Sequence, residues 1–284
     1  MTLDTLIAAH ANIAIGDITR AAVRDWVSDL SVDSAPSTVH NEIGVLRQVL
    51  AMAVDENRLV VNPVDGVELP TVRAAEQRFL TLDQLHVLAG GSGDHKPLVY
   101  VLGTTGLRFG EAAELRWRDV DLENLRIRVS RAVALVDGEF VIGPPKSGKA
   151  RTVSMPAFVA DLLGERGDLD ALVFPDAQGG HMRGSNVRRR WWADAVAAAE
   201  LFPRIEATKD GPVTVYEFKL HELRHTAASL AIQAGAHIKS LQAMLGHASA
   251  ALTLDRYGHL YGSDVEAVGV AINALLTSSF LDNS

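Results

Sequence analysis

Cysteine is absent from the 284 residues. This excludes disulfides and thiolate metal sites, and leaves histidines and carboxylates as the only side chains able to ligate a metal. No apolar run approaches the roughly 20 residues needed to cross a bilayer, and no basic start followed by an apolar core opens the chain. A cytoplasmic protein with no membrane attachment is therefore expected. Aromatics are scarce at 6 %, but hydrophobic residues reach 48 %, an ordinary balance for a folded chain rather than a disordered one. Internal repeats and low-complexity segments are also missing. So is an excess of basic charge: the net charge is −8, with 5 basic and 11 acidic side chains in residues 1–76 and 22 and 24 in residues 77–284. Nucleic-acid affinity rests on Lys and Arg neutralising phosphates, so any such binding must come from one polarised face.

What is present reads as helices with a strand-rich interlude, a mainly α chain with a small antiparallel β-sheet. Thr19 caps a helix with Val23, Trp26, Val27 and Leu30 on one face, and Asp33 to Pro36 reads as a turn. Thr38 opens a longer helix carrying Val39, Ile43, Leu46, Leu50 and Ala53, ending near Asn57 before Asn62-Pro63. The aperiodic stretch from Val67 to Gln77, with Pro70, holds a linker placed at 70–77, separating a domain at 1–69 from one at 78–284. Thr81 with Gln84 makes a capping box for a helix through Leu88, and a helix at 97–104 ends at Gly106. Strands are expected at Leu125 to Ser130, Ala132 to Val136, Glu139 to Ile142 and Arg151 to Met155. Asp137-Gly138 turns one hairpin, and Lys146 to Lys149 forms the mobile tip of a second. A helix from Asn186 to Glu200 turns Val187, Trp191, Ala195 and Ala198 inward and bears Arg188, Arg189 and Arg190. Thr208 to Gly211 reads as a variable loop. Helices follow at 222–234, 238–245 and 250–258, with Gly235 and Gly246 as stops. A last capped helix, Ser263 to about Leu276, shows a stripe of Val265, Val268, Ile272 and Leu275.

The late helices carry the chemistry. His221-Glu222-Leu223-Arg224-His225-Thr226, Leu245-Gly246-His247 and Thr253-Leu254-Asp255-Arg256-Tyr257 gather imidazoles, a guanidinium and a phenol within 37 residues. A neutral phenol is a poor nucleophile, so a tyrosine behind an Arg/His cluster points to covalent attack on an anionic centre, with phosphate the natural candidate. His221 and Arg224, three apart on a helical segment, face the same way.

These residues resemble the tyrosine recombinases of the phage-integrase type. Arg108 in Thr105-Gly106-Leu107-Arg108-Phe109-Gly110-Glu111 matches the family's early arginine, and Lys146 in Pro145-Lys146-Ser147-Gly148-Lys149 its lysine. His221 and Arg224 match the histidine-x-x-arginine pair, His247 the later position and Tyr257 the nucleophile. Six positions fall in order across 150 residues, 108 through 257.

The resemblance implies a helical core-DNA-binding domain at 1–69, with no arm-binding domain before it, and a catalytic domain with a tail helix at 78–284. Its implied activity is site-specific recombination through a 3′-phosphotyrosine, independent of ATP, metal or other cofactor. The partners it implies are double-stranded DNA, a homotetramer assembled on DNA from solution monomers, and an accessory DNA-bending protein. In this reading Arg108, Arg224 and His247 clamp the scissile phosphate, His221 is base or donor, and Lys146 is the general acid, with Lys149 its rival. Glu111 and His225 support them, as does His259, and Arg188, Arg189 and Arg190 track the DNA backbone or are merely solvated. A phage or mobile-element integrase is expected. The alternatives are a Xer-type chromosome dimer resolvase and a catalytically silent DNA-binding protein of this fold. A metal phosphodiesterase using the histidines lacks a carboxylate at ligand spacing.

Overall fold

The structure is a computed structural model that describes residues 13–72, 77–209, 211–261, 269–270 and 272–273. It divides into two compact units, Met1–Glu76 and Gln77–Ser284. Among the described residues, no helix is long and apolar enough to cross a membrane.

The first unit is helical. Thr19 accepts a hydrogen bond from the Ala22 amide at 3.2 Å and so caps α1, Arg20–Asp33. Pro36 starts α2, Pro36–Asp55, two residues earlier than Thr38, because its fixed φ suits the first helical turn and leaves only Ser34 and Ala35 between the helices. Val23, Trp26, Val27 and Leu30 of α1 meet Val39, Ile43 and Leu50 of α2 in one apolar core. Buried Asn62 donates to the Arg47 carbonyl at 2.9 Å and accepts from the Val64 amide at 3.0 Å, folding the following chain back onto α2. Val64 and Val67 thereby join the core, so packed structure extends into the segment read as aperiodic.

In the second unit the capping box of Thr81 and Gln84 starts α3, Leu82–Gly90. Next come α4, Lys96–Thr105, and the short α5, Phe109–Ala113. Gly106 ends α4 in the left-handed region at φ 67°, and a Cβ there would also press on Leu245.

The strands are β1, Val120–Asp121; β2, Arg126–Val129; β3, Ala132–Val136; β4, Glu139–Gly143; and β5, Arg151–Ser154. Asp137 and Gly138, both at positive φ, turn β3 into β4 as expected. The second expected hairpin does not form. β5 pairs antiparallel with β2, placing buried Val153 opposite buried Ile127, so β3 and β4 are an excursion between partner strands. Lys146 to Lys149 therefore lie on a turn between two sheets, where Gly148 at φ 70° donates its amide N–H to the Pro145 carbonyl.

After α6, Ala157–Leu163, the helix labelled α7 runs through Gly184–Val187 and Ala193–Ala198 with a π-helical Arg188–Trp192 between them. The π turn inserts one residue into the helical period. Trp192 and Val196 consequently join Val187 and Ala195 in the core, while Ala198 is exposed and Trp191 only half-buried, contrary to the stripe expected. Thr208 and Gly211 are not in a loop but pair at the end of a hairpin of β6, Pro203–Thr208, and β7, Gly211–Tyr216. All six residues of β6 are exposed, although Pro203-Arg204-Ile205-Glu206-Ala207-Thr208 alternates apolar and polar residues as a strand does.

α8, Glu222–Gln233, α9, Ile238–Leu245, and α10, Ala250–Tyr257, complete the unit, with Gly235 and Gly246 at positive φ as stops. α8 packs on α4, and the Thr226 hydroxyl accepts from the Leu80 amide at 3.0 Å. The capping pair Ser263 and Glu266 and the residues Val265, Val268 and Leu275 lie outside the described residues; Ile272 is exposed.

Candidate active site

The site forms where the starts of α5 and α8 meet the end of α9 and the end of α10. Glu111, at 2 % exposure, is the carboxylate at its base. Its Oε2 accepts from the Arg108 backbone amide at 2.9 Å, closing the first turn of α5, and its Oε1 accepts from Arg108 Nη1 at 3.1 Å. Arg151 grips the same carboxylate with two parallel bonds, Nη1 to Oε1 at 2.9 Å and Nη2 to Oε2 at 2.7 Å, and its Nε donates to the Met244 carbonyl at 2.9 Å. Burial pushes the Glu111 carboxyl up, but Arg151 and Arg108 outweigh it and hold the pKa below the ordinary 4.5. Arg108 does pair with Glu111, yet on a buried anchor instead of a helix surface. Its Nε and Nη2 have no protein partner among the described residues.

Arg224, 3 % exposed, donates from Nη1 to the Gly106 carbonyl and from Nη2 to the Leu245 carbonyl. One guanidinium thus ties α8 to the C-termini of α4 and α9, and of its five N–H donors three remain. Burial, and then Arg108, lower its pKa to about 9, so it is still a cation at neutral pH.

Tyr257 is 1 % exposed, walled by Ala228, Leu241 and Leu245. Its hydroxyl lies 2.8 Å from His225 Nδ1, and the His247 ring stacks parallel to it, 3° off plane with centroids 6.4 Å apart. Burial raises its pKa above 10, against the opposing pull of Arg224 and Arg256. The rival Tyr261 donates its hydroxyl to the Ala236 carbonyl at 3.1 Å instead.

The imidazoles are poised neutral. Burial, then His221, Arg256 and Arg224, take His225 to about 4, and burial, then Arg224 and Arg256, take His247 to about 4. His221 is also lowered, by desolvation first and then by Arg224, Arg108, Arg256 and Lys146. Lys146, exposed on its turn, is thus within electrostatic reach of His221, whereas Lys149 lines a groove with Lys239, Gln242 and His247. His247 Nδ1 lies 2.9 Å from the Thr253 hydroxyl, which is 3.4 Å from the Ser249 carbonyl. Giving the hydroxyl proton to the nearer partner leaves His247 as the Nε2–H tautomer, a donor toward the cluster.

Five of the six matched positions therefore converge, with Glu111 and His225 among them, and Lys146 stands exposed on its turn within electrostatic reach of His221. Arg188, Arg189 and Arg190 do not form one patch. Arg188 shares a groove with His221, Arg189 bonds Asn186 Oδ1 at 3.2 Å, and Arg190 faces His95 and Trp191. His259 is exposed on the turn after α10. Three contributors escaped the sequence reading: Arg151, visible there only as the start of a strand, and Arg256 and Thr253, quoted as context for Tyr257. Nothing local marks Arg151, because its partner Glu111 is 40 residues away. As a group, one buried carboxylate faces Arg108, Arg151 and Arg224, and Arg256 adds a cation beside Tyr257 and the imidazoles, an arrangement that suits a bound anion and a phenol beside it.

The chain is similar to known proteins over most of its length. The family model described as "Phage integrase family" matches residues 80–263. The integrase of Mycobacterium phage L5 is 28 % identical over 279 residues, covering 94 % of this chain and 70 % of that protein. The phiRv2 prophage integrase of Mycobacterium tuberculosis H37Rv is 29 % identical over 257 residues, 89 % of this chain. The chain spans about two thirds of that relative's length, 66 %. Among solved structures, the Tn1549 transposon integrase in complex with transposon right end DNA superposes with a TM-score of 0.72 at 19 % identity, covering 96 % of this chain and 98 % of that one, which establishes the shared fold. The chain belongs to the phage integrase family of tyrosine recombinases.

Proposed function

We propose that the protein is a site-specific DNA recombinase of a phage or mobile element, cutting and rejoining strands through a 3′-phosphotyrosine at Tyr257. The observation that carries this reading is the convergence of Arg108, His221, Arg224, His247 and Tyr257 on one electropositive cluster, with the phenol in contact with an imidazole and Lys146 on a turn within electrostatic reach.

In the proposed reaction, Arg108 and Arg224 take the non-bridging oxygens of the scissile phosphate, where charge builds in the transition state. His247 donates from Nε2. The Tyr257 oxygen attacks phosphorus, the bond to the 5′ oxygen breaks, and Lys146 supplies that oxygen with a proton. The 5′ hydroxyl of a second strand then attacks the phosphotyrosine, restoring a phosphodiester and freeing the phenol. The bond energy stays in the intermediate, so ATP has no role. Residues 1–69 serve as the core-DNA-binding domain, 70–77 as linker and 78–284 as the catalytic domain, and four copies act on two duplexes. The affinity to phage and prophage integrases, at 28–29 % identity, supports a mobile-element origin over a Xer-type resolvase, for which the XerD of Rickettsia bellii stands at 25 %.

The test is covalent trapping. The chain is incubated with nicked duplexes tiling the genomic DNA that flanks its gene, and a denaturant-resistant, protease-sensitive protein–DNA species with a free 5′ hydroxyl is expected. Site-specific binding with no covalent species would favour the catalytically silent alternative.

A further inference from the structure

We propose that His225, not His221, is the residue that accepts the phenolic proton of Tyr257 as it attacks phosphate, an assignment that rests on the tyrosine recombinase reading. The geometry discriminates between the two imidazoles. His225 Nδ1 lies 2.8 Å from the Tyr257 hydroxyl, across 32 residues of sequence, at a length normal for a hydroxyl donating to an imidazole nitrogen. His221, whose ring meets His225 edge-on at a centroid distance of 5.6 Å, makes no hydrogen bond to Tyr257. It sits exposed at the start of α8, at the mouth of the cluster, where it can donate to an entering phosphate. His247 is engaged through Nδ1 with Thr253 and touches Tyr257 only by stacking. Arg224 and Arg256, the cations beside the phenol, carry no lone pair at neutral pH.

Charge explains when the transfer occurs. His225 is faced by His221 and Arg224 on its own helix, by Arg256 and Tyr257 on α10, and by His247 after α9. Burial, and then those cations, keep the ring neutral, its pKa lowered to about 4, so Nδ1, as the acceptor in the 2.8 Å contact, holds the neutral phenol without ionising it. A phosphate drawn in beside Arg224 and Arg256 offsets the part of the shift that their charge contributes, and a nearby anion favours the imidazolium. The base therefore strengthens as the substrate arrives. The step balances as follows: the Tyr257 oxygen forms its bond to phosphorus, the O–H proton passes to His225 Nδ1, the P–O5′ electron pair leaves with the 5′ oxygen, and Lys146 protonates that oxygen. In religation the His225 imidazolium returns its proton to the departing phenolate.

The experiment has two arms on the full chain. In DNA-free protein, long-range proton–nitrogen NMR at pH 7 should show His225 as the neutral Nε2–H tautomer, with an Nδ1 resonance that shifts when Tyr257 is changed to Phe. An Nδ1–H tautomer, or no response to Tyr257→Phe, overturns the assignment without reference to recombination. In the second arm, single-turnover covalent cleavage of the flanking-DNA duplexes is followed from pH 4 to 8. Wild-type cleavage should fall as pH drops and His225 takes up a proton. His225→Asn, which keeps a side-chain acceptor but no titrating base, should cleave about 100-fold more slowly or worse, with the acid limb gone and half-site binding intact. His221→Asn should slow cleavage yet keep the limb. Loss of the limb in His221→Asn instead gives the base role to His221. Faster cleavage by His225→Asn would mean that His225 only restrains the tyrosine, and either result sinks the proposal. Absence of any covalent species with wild-type protein counts against the recombinase reading, and the NMR arm then decides the His225 contact alone.

Discussion

Arg151 and Glu111, 40 residues apart in sequence, meet through two parallel hydrogen bonds of 2.9 and 2.7 Å at the floor of the site. Glu111 also holds Arg108 by side chain and backbone, and Arg151 also holds the last turn of α9 through Met244. The pair thus fixes the spacing between the early arginine and the segment carrying His247. Removing one member of a buried charge pair costs about 3–5 kcal/mol. Glu111→Gln should therefore lower the thermal midpoint by about 10 °C, taking about 2–4 °C per kcal/mol for a domain of this size. Arg151→Lys should lose the forked contact and slow covalent cleavage more than it weakens DNA binding. Scanning calorimetry alongside a binding isotherm checks both; an unchanged midpoint in Glu111→Gln would mean the network is dispensable.

Thr253 sets the tautomer of His247. Thr253→Val removes the hydroxyl at nearly constant volume and frees the ring to protonate at Nδ1, which would turn a lone pair toward the phosphate. A fall in cleavage rate of about tenfold, equivalent to about 1.4 kcal/mol, is expected. Thr253→Ser should restore the rate, and the comparison of the two variants in single-turnover kinetics decides it.

Stability should depend on pH through the same imidazoles. In the unfolded chain His225 and His247 take up protons around the ordinary value of 6.5, whereas in the folded protein they resist until about 4. Between those values the unfolded state binds more protons, so the stability from keeping these rings neutral is complete above pH 6.5 and drains away as the pH falls to 4. Glu111, held ionised, acts in the same direction below its ordinary 4.5. Thermal midpoints measured from pH 8 to 4 should fall through this window, and the double variant His225→Asn/His247→Asn should flatten the upper part of the slope.

The placement of the lysine is open to chemical rescue. A substrate with a 5′-bridging sulfur has a leaving group that departs without a proton, so it should restore cleavage to Lys146→Ala. Rescue of Lys149→Ala in its place would move the general acid three residues along the turn.

Legibility followed physical pattern. α1 and α2 could be read because each buries one stripe of a 3.6-residue period, and Asp137-Gly138 because the turn demands positive φ. The six ordered positions of the site were legible because five short local motifs hold them. The β6–β7 hairpin is marked only by a six-residue alternation, Pro203 to Thr208, of which neither face is buried, and so short a run competes with the reading of Thr208 to Gly211 as a loop. The π turn at Arg188–Trp192 shifted the helix's inward residues by one, which a fixed period cannot express. The pairing of β5 with β2, the grip of Arg151 on Glu111 and the contact between His225 and Tyr257 are tertiary relationships, between residues that no local signal connects.

The central claim is that Tyr257 becomes covalently joined to DNA. It is tested most directly by trapping the protein on a nicked duplex of its flanking DNA, digesting both partners and sequencing the nucleotide-bearing peptide by mass spectrometry. The account predicts a 3′-phosphate ester on Tyr257, and its loss in Tyr257→Phe with site binding retained; an adduct on Tyr261, or one that persists in Tyr257→Phe, would contradict it.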